Sequence, residues 1–159
     1  MTDENPAFAS RVSVLQVEEG VELAPKFDRD GLLPVVTTAA SDGVLLMLGY
    51  MNLEALQKTI ATREAHYFSR SRQKLWRKGE TSGLVQKVVE IRVDDDQDAI
   101  WLRVDVVGDV SCHVGYRSCF YRSVELENAE APVKLRFVED SKMMDPVAVY
   151  GDLPNPTKL

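Results

Sequence analysis

Two cysteines and two histidines are all that this 159-residue chain holds of those types, and the scarcity excludes several classes at once. One pair of thiols is too few for the disulfide framework of a small secreted protein. A chain of this length buries roughly 68–70% of its unfolded surface and needs no such staple. No stretch approaches the ~20 apolar residues of a membrane span. The first 25 residues carry acids early and have no basic start ahead of an apolar core, so they do not read as a secretory signal. No internal repeat is visible. These absences predict a cytoplasmic protein with reduced thiols and no membrane partner. A net charge of −6 argues against general nucleic-acid binding. What is present, 45% apolar and 28% charged residues, suits one soluble globular domain with tails to spare.

Residues 1–26 show little periodicity; Val12 to Val17 can add a strand, and much of this extension is expected to be mobile. The compact part is expected to start at the Asp/Gly turn Phe27-Asp28-Arg29-Asp30-Gly31. Leu32–Thr38 and Val44–Tyr50 read as strands joined at Ser41-Asp42-Gly43. Asn52 can cap a helix carrying Leu53, Leu56 and Ile60 and ending near Thr62, with Ala65–Phe68 as a return strand. In Val85–Val93, the residues Val85, Val89, Ile91 and Val93 share one face and Gln86, Glu90 and Arg92 the other. Ile100, Leu102, Val104 and Val106 alternate likewise, and Gly108-Asp109 marks a turn. Beyond Arg122 the pattern fades, although Lys134–Glu139 can form one more strand. The sum is a strand-rich α+β domain with one main helix.

Three stretches carry chemistry. On an unbroken strand Asp94, Asp96 and Asp98 share a face, where three carboxylates repel unless a cation sits among them. Magnesium takes carboxylates, waters and substrate phosphate; the plainer reading is a solvated acidic turn. The run lacks the pattern of an EF-hand loop. Cys112 and Cys119, with His113 beside the first, are donors that zinc accepts. Their spacing is not that of a zinc finger, and buried inert cysteines are the alternative. The segment from Ser69 to Gly83 is the strongest basic patch, with Arg70, Arg72, Arg77 and Lys78 suited to phosphate. Trp76 can stack on a base or pack in the core. A solvated loop is the alternative here too.

Together, Ser69-Arg70-Ser71-Arg72, Leu75-Trp76-Arg77-Lys78-Gly79-Glu80-Thr81-Ser82-Gly83, Gln86, the three alternate aspartates, and Cys112-His113 through Ser118-Cys119-Phe120 resemble the phosphoribosyl-AMP cyclohydrolase family of histidine biosynthesis. Phe27-Asp28, Gly31-Leu32 and Tyr50-Met51-Asn52 share the likeness, which covers about residues 27–122. The resemblance implies a homodimer with a small pseudo-barrel capped by a helix. It implies hydrolysis of the N1–C6 bond of the adenine ring in a small-molecule nucleotide substrate, with zinc and magnesium as cofactors. Magnesium falls to Asp94, Asp96 and Asp98. Zinc falls to the position of Asp95 from one subunit and to Cys112 and Cys119 from the other. His113 is the expected proton carrier, since an imidazole near pKa ~6.5 suits that work. Arg70, Arg72, Trp76, Arg77, Lys78, Glu80 and Ser82, with Arg117 a further candidate, are expected to bind substrate.

The family pattern breaks at Asp95, where it has a zinc-binding cysteine, and the chain carries one extra residue between that position and Cys112. Continuing the strand, Asp95 is expected to point away from Asp94 and Asp96. Carboxylate oxygen is a legitimate zinc ligand, so Asp95, Cys112, Cys119 and a water make one candidate set; His113 replacing the missing thiolate is the other. The rival from a different class is a non-catalytic phosphate- or nucleotide-binding module descended from the enzyme. The family's pyrophosphohydrolase partner is sometimes fused C-terminally; residues 123–159 are too few for it, which predicts a single activity.

Overall fold

The first ordered turn of the chain is helical. In the computed structural model, which describes residues 5–127 and 131–159, the strand expected at Val12–Val17 is replaced by α1 (Val14–Glu19). Ser13 decides this, because its side chain accepts the Gln16 amide at 3.0 Å and caps the turn. The N-terminal extension also packs on the domain. Phe8 lies against the core, and Ala24 is fully buried.

The Asp28 carboxylate then accepts the amides of Asp30 and Leu32, an Asx turn that launches β1 (Leu33–Ala39). A tight turn leads to antiparallel β2 (Leu45–Met51). Asn52 caps α2 (Leu53–Thr62), its side chain accepting the Ala55 amide at 2.9 Å. The buried stripe is Ala55, Leu56 and Thr59 with Ile60 beside it; Leu53, at the first helical position, lies off that stripe and stays half exposed.

β3 (His66–Ser69) pairs with β4 (Lys74–Arg77), a strand hidden inside the segment read as a basic loop. Four residues flanked by charge show no alternation, but the register sets Tyr67 opposite Trp76 with ring centroids 5.3 Å apart. β5 (Gln86–Val93) and β6 (Ile100–Val106) complete a four-stranded sheet of order β2-β1-β6-β5, in which β1 and β6 run parallel. β6 alternates as predicted, with Ile100, Leu102 and Val104 buried.

β5 does not keep the predicted faces. Its pairing slips between Val88 and Glu90, so Val89 is an extra residue that reverses the alternation. Gln86 is consequently fully buried, Val88 and Ile91 pack on the core, and Val89 and Val93 are exposed. A 3-10 turn (Val107–Asp109) follows β6. The C-terminal extension contributes β7 (Arg122–Val124) paired to β8 (Leu135–Phe137), a shorter strand than the expected 134–139, and then α3 (Pro146–Tyr150). The fold is α+β, strand-rich, around a mixed sheet. Among the described residues no helix is long and apolar enough to cross a membrane.

Candidate active site

The cysteines are brought together by a loop that folds back on itself. The amides of Ser111 and Cys112 donate to the carbonyls of Arg117 and Tyr116 at 3.0 and 3.2 Å, and the Gly115 amide closes the turn on Cys112. The far side is tied to β2, where Cys119 donates its amide to Leu46 at 2.7 Å and Ser118 its hydroxyl to Leu45 at 2.6 Å. Both thiols are free, Cys112 buried and Cys119 exposed. They lie near enough to interact, and that interaction draws the Cys112 thiol down to about 6. The same interaction pushes Cys119 up, so the pair shares one proton.

Lys78 stands beside them. It was expected to bind phosphate, but it is only 8% exposed and its Nζ donates to the Ser111 carbonyl at 2.6 Å. Burial pushes its pKa down, and the two thiols are the groups that pull it back up. His113 is half buried, with burial first and the Lys78 charge second holding its pKa below the usual imidazole value; a hydrogen bond with the Asn155 side chain opposes them. Its Nε2 is buried and lacks a partner among the described residues. Beneath the loop runs a buried polar chain that the sequence did not disclose. Thr37 and Tyr67 share a 2.7 Å hydrogen bond, and the Tyr67 hydroxyl donates to Gln86 at 2.6 Å. Gln86 in turn reaches the Ser111 hydroxyl at 3.4 Å.

The acidic run is a turn and not a strand end. β5 stops at Val93, Asp94 Oδ1 accepts the amides of Asp98 and Ala99, and Gln97 takes a left-handed conformation at φ 58°. Period-two alternation therefore does not apply, and Asp95 does not oppose its neighbours. Ligand atoms of Asp94, Asp95 and Asp96 lie within 4.8 Å of one another, the one such group among the described residues. Asp98 is close as well, and hydrogen bonding with Asp94 raises its pKa. Among the described residues of its own chain, neither thiol gathers a third His, Cys, Asp or Glu ligand at that separation. Gln97, the uncharged member of the run, points inward. Its side chain accepts the Ala24 amide at 2.8 Å and donates to the Val17 carbonyl at 2.9 Å, docking the N-terminal extension on the turn.

The basic residues divide sharply. Arg70 and Arg72 are exposed, one guanidinium 3.9 Å from the Tyr50 ring centroid and the other 5.7 Å from Trp76. Arg77 is paired to Glu64 at 2.9 Å. Arg117 is held by Asp42 and Asp109, both within 2.9 Å. Trp76 is half buried against the core. Glu80 is exposed, its carboxylate 3.4 Å from the Arg77 amide, and the Ser82 hydroxyl accepts the Leu84 amide. The turn carrying both needs glycine, since a Cβ on Gly79 (φ 88°) would meet the Val85 nitrogen at 2.5 Å. A cleft of about 490 Å³ lies elsewhere, lined by Asp42, Asp105, Asp109 and Arg117. Its surplus of carboxylates repels a phosphate, and it contains neither thiol.

Residues 47–121 match the family model described as phosphoribosyl-AMP cyclohydrolase. A protein of that name from Rhodopseudomonas palustris (strain BisA53) is 56% identical over 134 residues, 84% of this chain and 90% of the relative. This chain belongs to the phosphoribosyl-AMP cyclohydrolase family. Another family member, from Bradyrhizobium diazoefficiens, is 56% identical over 135 residues, 85% of this chain and 94% of its own. A phosphoribosyl-AMP cyclohydrolase from Rhodopseudomonas palustris (strain TIE-1) aligns over 151 residues at 50% identity, 95% of this chain and 99% of that protein. The chain is accordingly an enzyme, a hydrolase of histidine biosynthesis.

Proposed function

We propose that the chain opens the adenine ring of phosphoribosyl-AMP at the N1–C6 bond, using zinc and magnesium at sites completed by a second copy of the chain. The observation that carries this reading is the thiol pair, Cys112 and Cys119 on one folded-back loop beside the buried cation of Lys78 and the His113 Nε2 that lacks a partner among the described residues. That donor set suits zinc, because soft thiolates select it and Cys112 gives up its proton readily. The pair is short of ligands among the described residues of one chain, and Asp95 of the other subunit is the proposed third ligand. Zinc held there supplies the acidity that brings a water to a pKa of about 7. Asp94, Asp96 and Asp98 are the proposed magnesium ligands, and their mutual repulsion is what a divalent cation relieves. Asp95 lies in the same exposed turn, so one turn faces both metals.

The chain's own residues supply the rest. His113 is neutral at pH 7 because burial and Lys78 disfavour its charged form. Its Nε2 is free to take a proton from the attacking water and return it to the departing N1. Arg70 and Arg72, without carboxylate partners among the described residues, are the proposed phosphate ligands. Lys78, Arg77 and Arg117 are occupied by other groups and are withdrawn from that role. We take the pseudo-barrel to close only in the dimer, and the enzyme to work in the cytoplasm.

Subunit complementation tests the shared site. Asp95→Ala and the double variant Cys112→Ser/Cys119→Ser are each expected to lose ring opening, followed by its absorbance change with zinc and magnesium supplied. Mixed and reassembled one to one, half the dimers pair unlike chains and each has one intact site, so about a quarter of wild-type activity returns. Wild-type enzyme with no rate sinks the ring-opening reading in favour of a binding module. No recovery on mixing sinks the shared site.

A further inference from the structure

The family match ends at residue 121, yet the chain beyond it returns to the cysteine loop and grips it. After β8, the Val138 amide donates to the Tyr121 carbonyl at 2.9 Å. Glu139 then turns its half-buried carboxylate onto the loop, where its two oxygens accept the amides of Arg117 and Ser118, each at 3.0 Å. The Met143 amide reaches the Gly115 carbonyl at 2.8 Å, and the approach is so close that a Cβ on Gly115 (φ 108°) would sit 2.3 Å from the Met144 oxygen. Tyr116 and Tyr121 stack at 4.1 Å with Phe137 packed on both. Farther on, the Asn155 side chain approaches His113.

Every one of these contacts falls between the two thiols or within two residues of one of them. The loop's internal hydrogen bonds join its two limbs but leave the amides of Arg117 and Ser118 without partners from the loop itself. Those amides belong to the two residues that lead into Cys119, so whatever fixes them fixes where its sulfur meets that of Cys112. A carboxylate accepting two N–H groups is the stronger, charge-assisted kind of hydrogen bonding, and it is directional.

We propose that residues 137–155 form a strap that sets the geometry of the thiol pair, with Glu139 as its positioning residue. The strap acts on whichever metal the pair holds, and its link to catalysis rests on the zinc reading above. Its mechanical part does not.

The test measures alkylation of Cys112 in the metal-free full chain at about pH 9, where thiolate supply no longer limits the ordinary cysteine. Cys112 is 4% exposed while the loop is closed, so its rate of modification reports opening. Two charge-assisted hydrogen bonds lost in Glu139→Ala correspond to at least about tenfold faster alkylation. Glu139→Gln, which keeps one acceptor oxygen, falls between. Zinc affinity, measured by chelator competition below the unfolding transition, drops on the order of tenfold in parallel. Should Glu139→Ala fail to fold, the glutamine variant decides alone. Wild-type alkylation rates in the folded variants overturn the strap, whatever happens to stability. A wild-type chain that binds no zinc overturns the zinc site and leaves the alkylation result to judge the strap.

Discussion

Lys78 shows what a single buried charge does when carboxylates are not its partners. Its nearest opposing groups are two thiols, and desolvation leaves it dependent on them. Two outcomes follow for the metal-free protein. Cys112 is a thiolate above about pH 6, so its alkylation persists below neutrality and falls only as pH drops through that value, against an ordinary thiol near 8.5. Lys78→Met removes the cation and moves the inflection upward. A pH–alkylation profile read by mass spectrometry checks both, and an unmoved inflection in the variant means Lys78 has no electrostatic hold on the pair. The acidic turn has the opposite problem. Asp98 holds its proton to higher pH because Asp94 and Asp96 crowd it. In Asp98→Asn the metal-free protein is expected to melt slightly higher than wild type, while the rise in Tm that the proposed magnesium site predicts for wild type is expected to shrink. Thermal scans with and without magnesium measure both.

At the scale of elements, legibility followed how strictly local each rule is. α2 was readable because a cap and a short apolar stripe act within one helix, and β6 because it alternates without interruption. β5 was misread because the bulge at Val89 is set by its partner strand, which one segment of sequence does not reveal. The same cause moved the acidic residues. A strand through Asp94 would put Asp95 on a face of its own, whereas Gln97 in its left-handed conformation makes the run a turn. The ligand types were legible and their arrangement was not. Gln97 is therefore the residue to test in this element. Gln97→Ala removes two buried hydrogen bonds and strands the Ala24 amide and Val17 carbonyl, at a cost of about 2–3 kcal/mol in urea denaturation.

For the molecule as a whole, both extensions belong to the working structure. The N-terminal one buries Ala24 and Val17 and sends Arg11 to the Asp96 carbonyl at 2.8 Å, so it braces the acidic turn from behind. Removing residues 1–26 is expected to lower the urea midpoint and weaken magnesium-induced stabilisation together; a truncated chain with both unchanged shows the bracing to be idle. Of the two extensions only the strand within Lys134–Glu139 was legible in the sequence, and the docking of neither was. Their hold depends on long-range pairing with turns whose shape had first to be known.

The attachment of Cys119 and Ser118 to β2 has a further consequence, for solubility. β2 is the outermost strand of the four-stranded sheet, with Leu45 and Leu48 partly exposed along it. An uncovered rim of that kind invites a stray chain to add itself as the next strand. The Leu45 and Leu46 carbonyls are occupied by the cysteine loop, and so are withdrawn from that trade. Any change that prises the loop away would thus bare those carbonyls again. It would turn a catalyst into a seed for its own precipitation.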